Sequence, residues 1–139
     1  LNWRPTGQVR VATQYVRSVL NRARDGSRFS TEDIPRLKVE YQATRSIFFR
    51  LVGQYAARRR DGLHDPFERP LLVGGAPAPA FTTNQLNVDW LFSYRPSPGT
   101  LIFLGYGSTL TEDGAFAFGR DMQRSADGFF AKVSYVFRT

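Results

Sequence analysis

The chain has 139 residues, room for one domain, with a formal net charge of +7, 14% aromatic and 22% charged residues. So many aromatics beside so few charges exclude a disordered chain. The absence of cysteine excludes disulfide staples and thiol chemistry and disfavours a structural zinc site. No apolar run reaches the roughly 18 residues that a transmembrane helix needs. Lys38 and Lys132 are the only lysines, so 17 of the 19 basic residues are Arg. A basic chain of this kind leaves nucleic acid, anionic lipid and acidic sugar open as partners. The chain opens on Leu1-Asn2-Trp3 without Met, which is read as a piece of something longer.

In chain order, the apolar period is two almost throughout. Gly7–Leu20 alternates Val9, Val11, Thr13 and Tyr15 with Gln8, Arg10, Ala12 and Gln14. Residues 14–24 come nearest to a helical pattern, through Val16, Val19 and Leu20, without completing one. Asp33–Ala43 alternates Leu37, Val39 and Tyr41 with Arg36, Lys38, Glu40 and Gln42. Ser46–Arg58 alternates Ile47, Phe49, Leu51 and Tyr55 with Phe48, Arg50, Val52 and Gln54. Gln85–Arg95 alternates Leu86, Val88, Trp90, Phe92 and Tyr94 with Asn87, Asp89, Leu91 and Ser93. Thr100–Ser108 is apolar on both parities, with Ile102, Leu104 and Tyr106 assigned to the outer one. Phe129–Thr139 alternates Phe129, Ala131, Val133, Tyr135 and Phe137 with Phe130, Lys132, Ser134, Val136 and Arg138. Residues two apart share a strand face, so six strands are predicted.

Short and long connections take turns. Ala43–Ser46 and Pro96–Gly99 are tight, the second by its Pro and Gly. Residues 21–32, 59–84 and 109–127 are read as long links. The middle one carries Val73–Ala80, "VGGAPAPA", which is read as unable to hold a regular ladder. Short turns at one end and long loops at the other are the pattern of transmembrane barrels. Six segments of about 9–11 residues suit tilted membrane strands. Tyr15, Tyr41, Tyr55, Tyr94, Tyr106, Tyr135 and Phe137 are placed near strand ends, where interfacial girdles take amphipathic rings.

The fold class read from this pattern is all-β. It is an antiparallel up-and-down meander of about six long strands, the C-terminal part of a transmembrane β-barrel. Residues 1–139 form one portion of that domain. A barrel has at least eight strands, so the remaining strands are placed upstream of Leu1. Val39, Tyr41, Phe49, Leu51, Val88, Trp90, Phe92, Val133 and Tyr135 are assigned to the lipid. Lys38, Glu40, Arg50, Asp89 and Lys132 are assigned to the lumen, with Arg10 and Arg36 on the same parity.

Four stretches carry a family resemblance: Tyr41–Tyr55, Asn87–Ser108, Leu110–Gly114 and Asp127–Arg138. Together, from about Gln8 onward, they resemble the C-terminal part of an uncharacterised bacterial outer-membrane β-barrel family, found after a domain similar to family-nine carbohydrate-binding modules. The most specific text is "SYRPSPGT" (Ser93–Thr100), "GYGS" (Gly105–Ser108) and the terminal "KVSYVFR" (Lys132–Arg138). The resemblance implies a bacterial outer-membrane location and an association with carbohydrate binding that belongs to the preceding domain. It carries over no catalytic residue. The terminal alternation of Val133, Tyr135 and Phe137 resembles the barrel-assembly signal of outer-membrane proteins, shifted by two residues because Arg138 and Thr139 follow.

His64 is the only histidine, with Asp61, Asp65 and Glu68 close in sequence. Spacing alone places no base beside a nucleophile, so no catalytic residue, metal or cofactor is assigned. Gly105–Leu110 lacks the third Gly of a dinucleotide loop. Thr111–Gly114, "TEDG", falls short of a calcium loop and reads as a turn. Arg58, Arg59 and Arg60 are the candidates for anionic lipid, because Arg pairs well with phosphate. The partners implied are outer-membrane lipid and lipopolysaccharide, the barrel-assembly machinery and upstream strands, not nucleic acid. The function follows as a membrane-embedded segment, either a channel or the anchor of an upstream carbohydrate-binding domain. Two alternatives stay open: part of a membrane-associated glycan hydrolase, and a soluble basic β-domain that binds nucleic acid.

Overall fold

The structure, a computed structural model, describes residues 1–65, 67–113 and 122–136. Among these residues it is all-β, with 74% strand and no helix. Nine strands run in chain order: β1 (Asn2–Trp3), β2 (Val9–Asn21), β3 (Arg28–Gln42), β4 (Ile47–Arg60), β5 (Leu72–Val73), β6 (Ala76–Pro77), β7 (Phe81–Ser97), β8 (Thr100–Asp113) and β9 (Gln123–Tyr135). Seven of them form one sheet in the order β1-β2-β3-β4-β7-β8-β9, and β5 pairs with β6 alone. Every pairing is antiparallel. The meander is therefore present, but the sheet is open and does not close into a barrel.

The long strands hold 13 to 17 residues, more than the 9–11 anticipated. The excess comes from the supposed long links. Of residues 21–32, only 22–27 lie between strands; residues 59–84 shrink to a connection over 61–80. Polar β-branched and Arg residues such as Thr31, Thr82 and Arg59 extend the ladders there, because ladder hydrogen bonding requires no apolar face. Residues 14–21 continue β2 as a strand, not a helix. "VGGAPAPA" also departs from expectation. Gly74 and Gly75 take φ of 64° and 86°, the two positive values of a type I′ turn. They join Val73 to Ala76 and Leu72 to Pro77 in a small hairpin.

Thr6 and Thr44 build two turns at one end of the sheet by the same device. The Thr6 hydroxyl accepts from the amides of Gln8 and Val9 at 3.2 and 3.1 Å. The Thr44 hydroxyl accepts from Ser46 and Ile47, both at 3.1 Å. Such side-chain turns satisfy amides that a reversing chain frees. The third turn at this end places Pro98 and Gly99, with φ of 130° at the glycine, between paired Ser97 and Thr100. At Pro35, mid-strand in β3, the β3–β4 ladder lapses: Ile34 and Pro35 have no partner in β4, as the missing proline N–H dictates.

No hydrophobic side chain is buried among the described residues. Among the described residues the sheet is a single layer, with no second layer for its apolar face.

Candidate functional site

The ladder sorts side chains onto two faces. One lateral row reads Trp3, Val11, Val39, Leu51, Trp90, Tyr106 and Phe129. The next reads Val9, Tyr41, Phe49, Phe92, Leu104 and Ala131. Followed through the register, all six tyrosines and both tryptophans lie on this one face. Many of its large side chains are exposed, including Tyr15, Leu37, Tyr41, Phe49, Leu51, Trp90, Phe129, Val133 and Tyr135. Phe49 joins Tyr41 and Phe92 in a ladder of rings with centroids 6.4 and 5.0 Å apart, the spacing of favourable aromatic pairs.

Toward the long-connection end the same parity turns polar. Arg17, Asp33, Ala57, Asn84 and Glu112 form one lateral row. Thr31, Asn84 and Glu112 are buried there, Asn84 completely. Tyrosines mark the boundary. The Tyr15 hydroxyl donates to Asp33 and the Tyr55 hydroxyl to Asn84 Oδ1 at 3.0 Å. These rings are not at strand ends, as anticipated, but where apolar neighbours give way to polar ones. Tyr106 departs further: it sits in the middle of β8, and its hydroxyl reaches Asp127 at 3.3 Å.

The opposite face is polar in the same central region. Arg10, Glu40, Arg50, Leu91, Gly105 and Phe130 form one row; Ala12, Lys38, Val52, Asp89, Gly107 and Gly128 form the next. Lys132 shares this face. Glu40 lies between two cations, Arg10 at 3.6 Å and Lys38 at 3.1 Å. Asn87 accepts from Gln85 at 3.1 Å and from Thr109 at 3.0 Å. Two glycines shape the surface. A Cβ on Gly105 would lie 2.1 Å from the Phe130 ring, and one on Gly107 would lie 2.6 Å from the Asp89 carboxylate. The neighbouring side chains thus lie across β8, flooring a recess lined in part by Arg36, Lys38, Arg50, Asp89 and Phe130.

The three arginines anticipated as one lipid site are not brought together. They close β4 instead of lying in a loop, and alternation sends Arg59 to the face opposite Arg58 and Arg60. Arg58 is held by Glu32 at 2.6 Å, and Arg60 stacks over Phe81 with its guanidinium carbon 4.5 Å from the ring centre. Arg59 alone is on the tyrosine face. Of the terminal set, Val133 pairs with Ile102 and Tyr135 with Thr100; Phe137 lies outside the described residues.

The acidic residues around His64 are engaged elsewhere. Asp61 holds Arg22 at 2.9 Å, and that guanidinium keeps its carboxyl below the usual range. Asp65 accepts from the amides of Arg69 and Phe67 and from the Arg69 side chain, which lowers it likewise. His64 itself contacts the Gly62 carbonyl at 3.2 Å. Among the described residues, no three His, Asp or Glu side chains gather as metal ligands. Thr111, Glu112 and Asp113 belong to β8, not to a turn; Gly114 lies outside the described residues.

Arg22 and Arg24 were not singled out in the sequence, and they join two connections. Arg22 also donates to the Gly62 carbonyl at 3.0 Å and to Ser27, and Arg24 donates to the Asp65 carbonyl at 2.9 Å. The turn over 22–27 is thereby tied to the connection over 61–80. No protein-family model, curated protein or solved structure matches the chain.

Proposed function

We propose that the chain is the C-terminal part of a bacterial outer-membrane β-barrel. The observation that carries this reading is a single-layer antiparallel sheet that buries no hydrophobic side chain while all its tyrosines and tryptophans share one face. In water such a face lacks the second layer that domains require. A bilayer supplies that layer, with the tyrosines at its boundary.

Dimensions support it. On β7 the apolar run from Leu86 to Tyr94 covers eight steps, about 26 Å along the strand at about 3.3 Å each. Inclined at 35–45°, it stands about 19–22 Å tall, near the roughly 25 Å band of known barrels. The rings at either end extend it. The open edges call for partner strands, since lipid satisfies no backbone N–H or C=O. Upstream strands of the same chain are the natural partners, inserted by the barrel-assembly machinery, with lipopolysaccharide at the outer rim. The function is then membrane embedding, as a channel or as the anchor of an upstream carbohydrate-binding domain.

The test is cell fractionation of the full-length protein followed by electrophoresis with and without boiling. An outer-membrane band whose mobility changes on boiling is the expected outcome. Release by a high-salt wash without detergent would sink the reading and favour the soluble nucleic-acid binder.

A further inference from the structure

We infer that the polar face of the sheet is an anion-selective lining, built around the recess between Arg36, Lys38 and Arg50; this rests on the barrel reading above. Around the recess, the cations Arg10, Arg36, Lys38 and Arg50 stand against the carboxylates Glu40 and Asp89. The pairing within this group is uneven. Glu40 is the ladder partner of both Arg10 and Arg50, yet its carboxylate is taken by Arg10 and Lys38. Arg50 and Arg36 are left without an ion pair or hydrogen bond among the described residues, and both are exposed on this face. Asp89, the one carboxylate left, lies over Gly107 on the β8 side of the recess.

The physical consequence is a local excess of positive potential. Arg stays charged at every accessible pH and offers a planar fork to oxyanions. Charges lining a confined space act on permeating ions over about a Debye length, roughly 10 Å at 0.1 M salt. Rings of Arg and Lys are a general means of favouring anions in a pore. The glycines on β8 contribute by leaving room over the strand: larger residues at Gly105 and Gly107 would displace Phe130 and Asp89 into the recess. The ligand class is small inorganic or carboxylate anions, held weakly enough to pass.

The experiment uses the full-length protein in planar bilayers under a KCl gradient, reading the chloride-to-potassium permeability ratio from the reversal potential. Heat-modifiable mobility is checked first; its absence would mean the barrel reading itself fails. With that established, the wild type should favour chloride. Arg36→Glu with Arg50→Glu should lower the ratio at least threefold. Asp89→Asn, nearly isosteric, should raise it, which guards against a fold defect in the double variant. Arg59→Glu, on the opposite face, should leave it unchanged. A ratio that neither the double variant nor Asp89→Asn moves would overturn the inference, and so would a heat-modifiable protein that conducts no ions.

Discussion

Two regions of one sheet share the same backbone ladder and differ in everything the side chains do. In the central band, residues on the tyrosine face such as Leu51, Trp90 and Phe92 are partnered only by other apolar groups. Toward the long connections, the same parity carries Arg17, Asp33, Asn84 and Glu112, and ion pairs such as Arg17–Asp33 and Arg58–Glu32 multiply. The ladder continues unbroken from one to the other on β4 and β7, from Ile47 paired with Tyr94 to Arg60 paired with Phe81. Strand formation is thus common to both, and the difference reports the surroundings each is built for. In the membrane reading proposed above, the band would face a medium without hydrogen-bonding partners and its continuation would face water. The Tyr15 and Tyr55 hydroxyls, each bonded to a polar residue on the same face, mark the transition.

The largest effect should come from placing band chemistry and water chemistry in the wrong region. Leu51→Arg puts a guanidinium in the middle of the tyrosine face, where a lipid-facing Arg costs about 2–4 kcal/mol. It should remove most of the assembled, heat-modifiable protein. Thr82→Arg, on the same face beyond the tyrosine boundary, should leave the assembled amount near wild type. Equal losses from both changes would erase the distinction between the regions.

A middling effect is expected at Gly105. Gly105→Ala drives a methyl into the Phe130 ring, and overpacking of this kind costs about 1–3 kcal/mol, toward the lower end here because the ring can swing outward. Thermal stability of the purified protein in detergent should fall. Phe130→Ala in the same chain should recover most of the loss. Non-recovery would mean that the close approach does not determine the preference for glycine.

How legible all this was in the sequence differs between the same two regions. Alternation exposed the band, because apolar residues two apart in Val9–Tyr15, Leu37–Tyr41 and Leu86–Tyr94 leave a period that reads directly as a strand face. The continuations read as loops in the sequence. Segments such as Arg28–Glu32 and Phe81–Asn84 alternate nothing, since beyond a single Phe (Phe29, Phe81) their residues are polar, and a hydrogen-bonded ladder leaves no periodic trace without an apolar side. The Gly74–Gly75 hairpin was obscured by its own prolines and alanines, although the pair of glycines was the signal. Pro35 pointed the other way, against a strand interior, and the strand accommodates it by forgoing two pairings. The tie between Arg22 and Asp61 spans 39 positions, and no local pattern announces a contact of that separation.

The smallest effect belongs to the connections. Arg22→Ala should leave assembly intact but expose residues 61–80 to added protease, since exposed ion pairs contribute little to stability. The pH dependence has a defined sign. Asp25, lowered to about 2 chiefly by hydrogen bonds from Ser27, and Asp61, lowered by Arg22, bind protons less readily here than in an unfolded chain. Their contribution is complete above the ordinary carboxylate pKa near 4 and fades as pH falls through the lowered values. Protease resistance of this end should hold from pH 7 down to about pH 4 and weaken only in stronger acid. A loss beginning well above about pH 4 would take the control away from these carboxylates.

The strand order also sets a sequence in time. Each long strand lies beside its immediate successor in the chain, the β5–β6 hairpin aside, so every pairing among them requires closing only one connection. Loop closure costs grow slowly with length, and local pairings form faster than distant ones. Hairpins can therefore zip one after another from either end, each new strand templated by the exposed edge of the last. Among the described residues, β9 lies at the edge of the sheet. If the sheet closes as proposed, the β9 edge must meet a strand from the other side of the meander, and that long-range pairing would be the slow step of assembly.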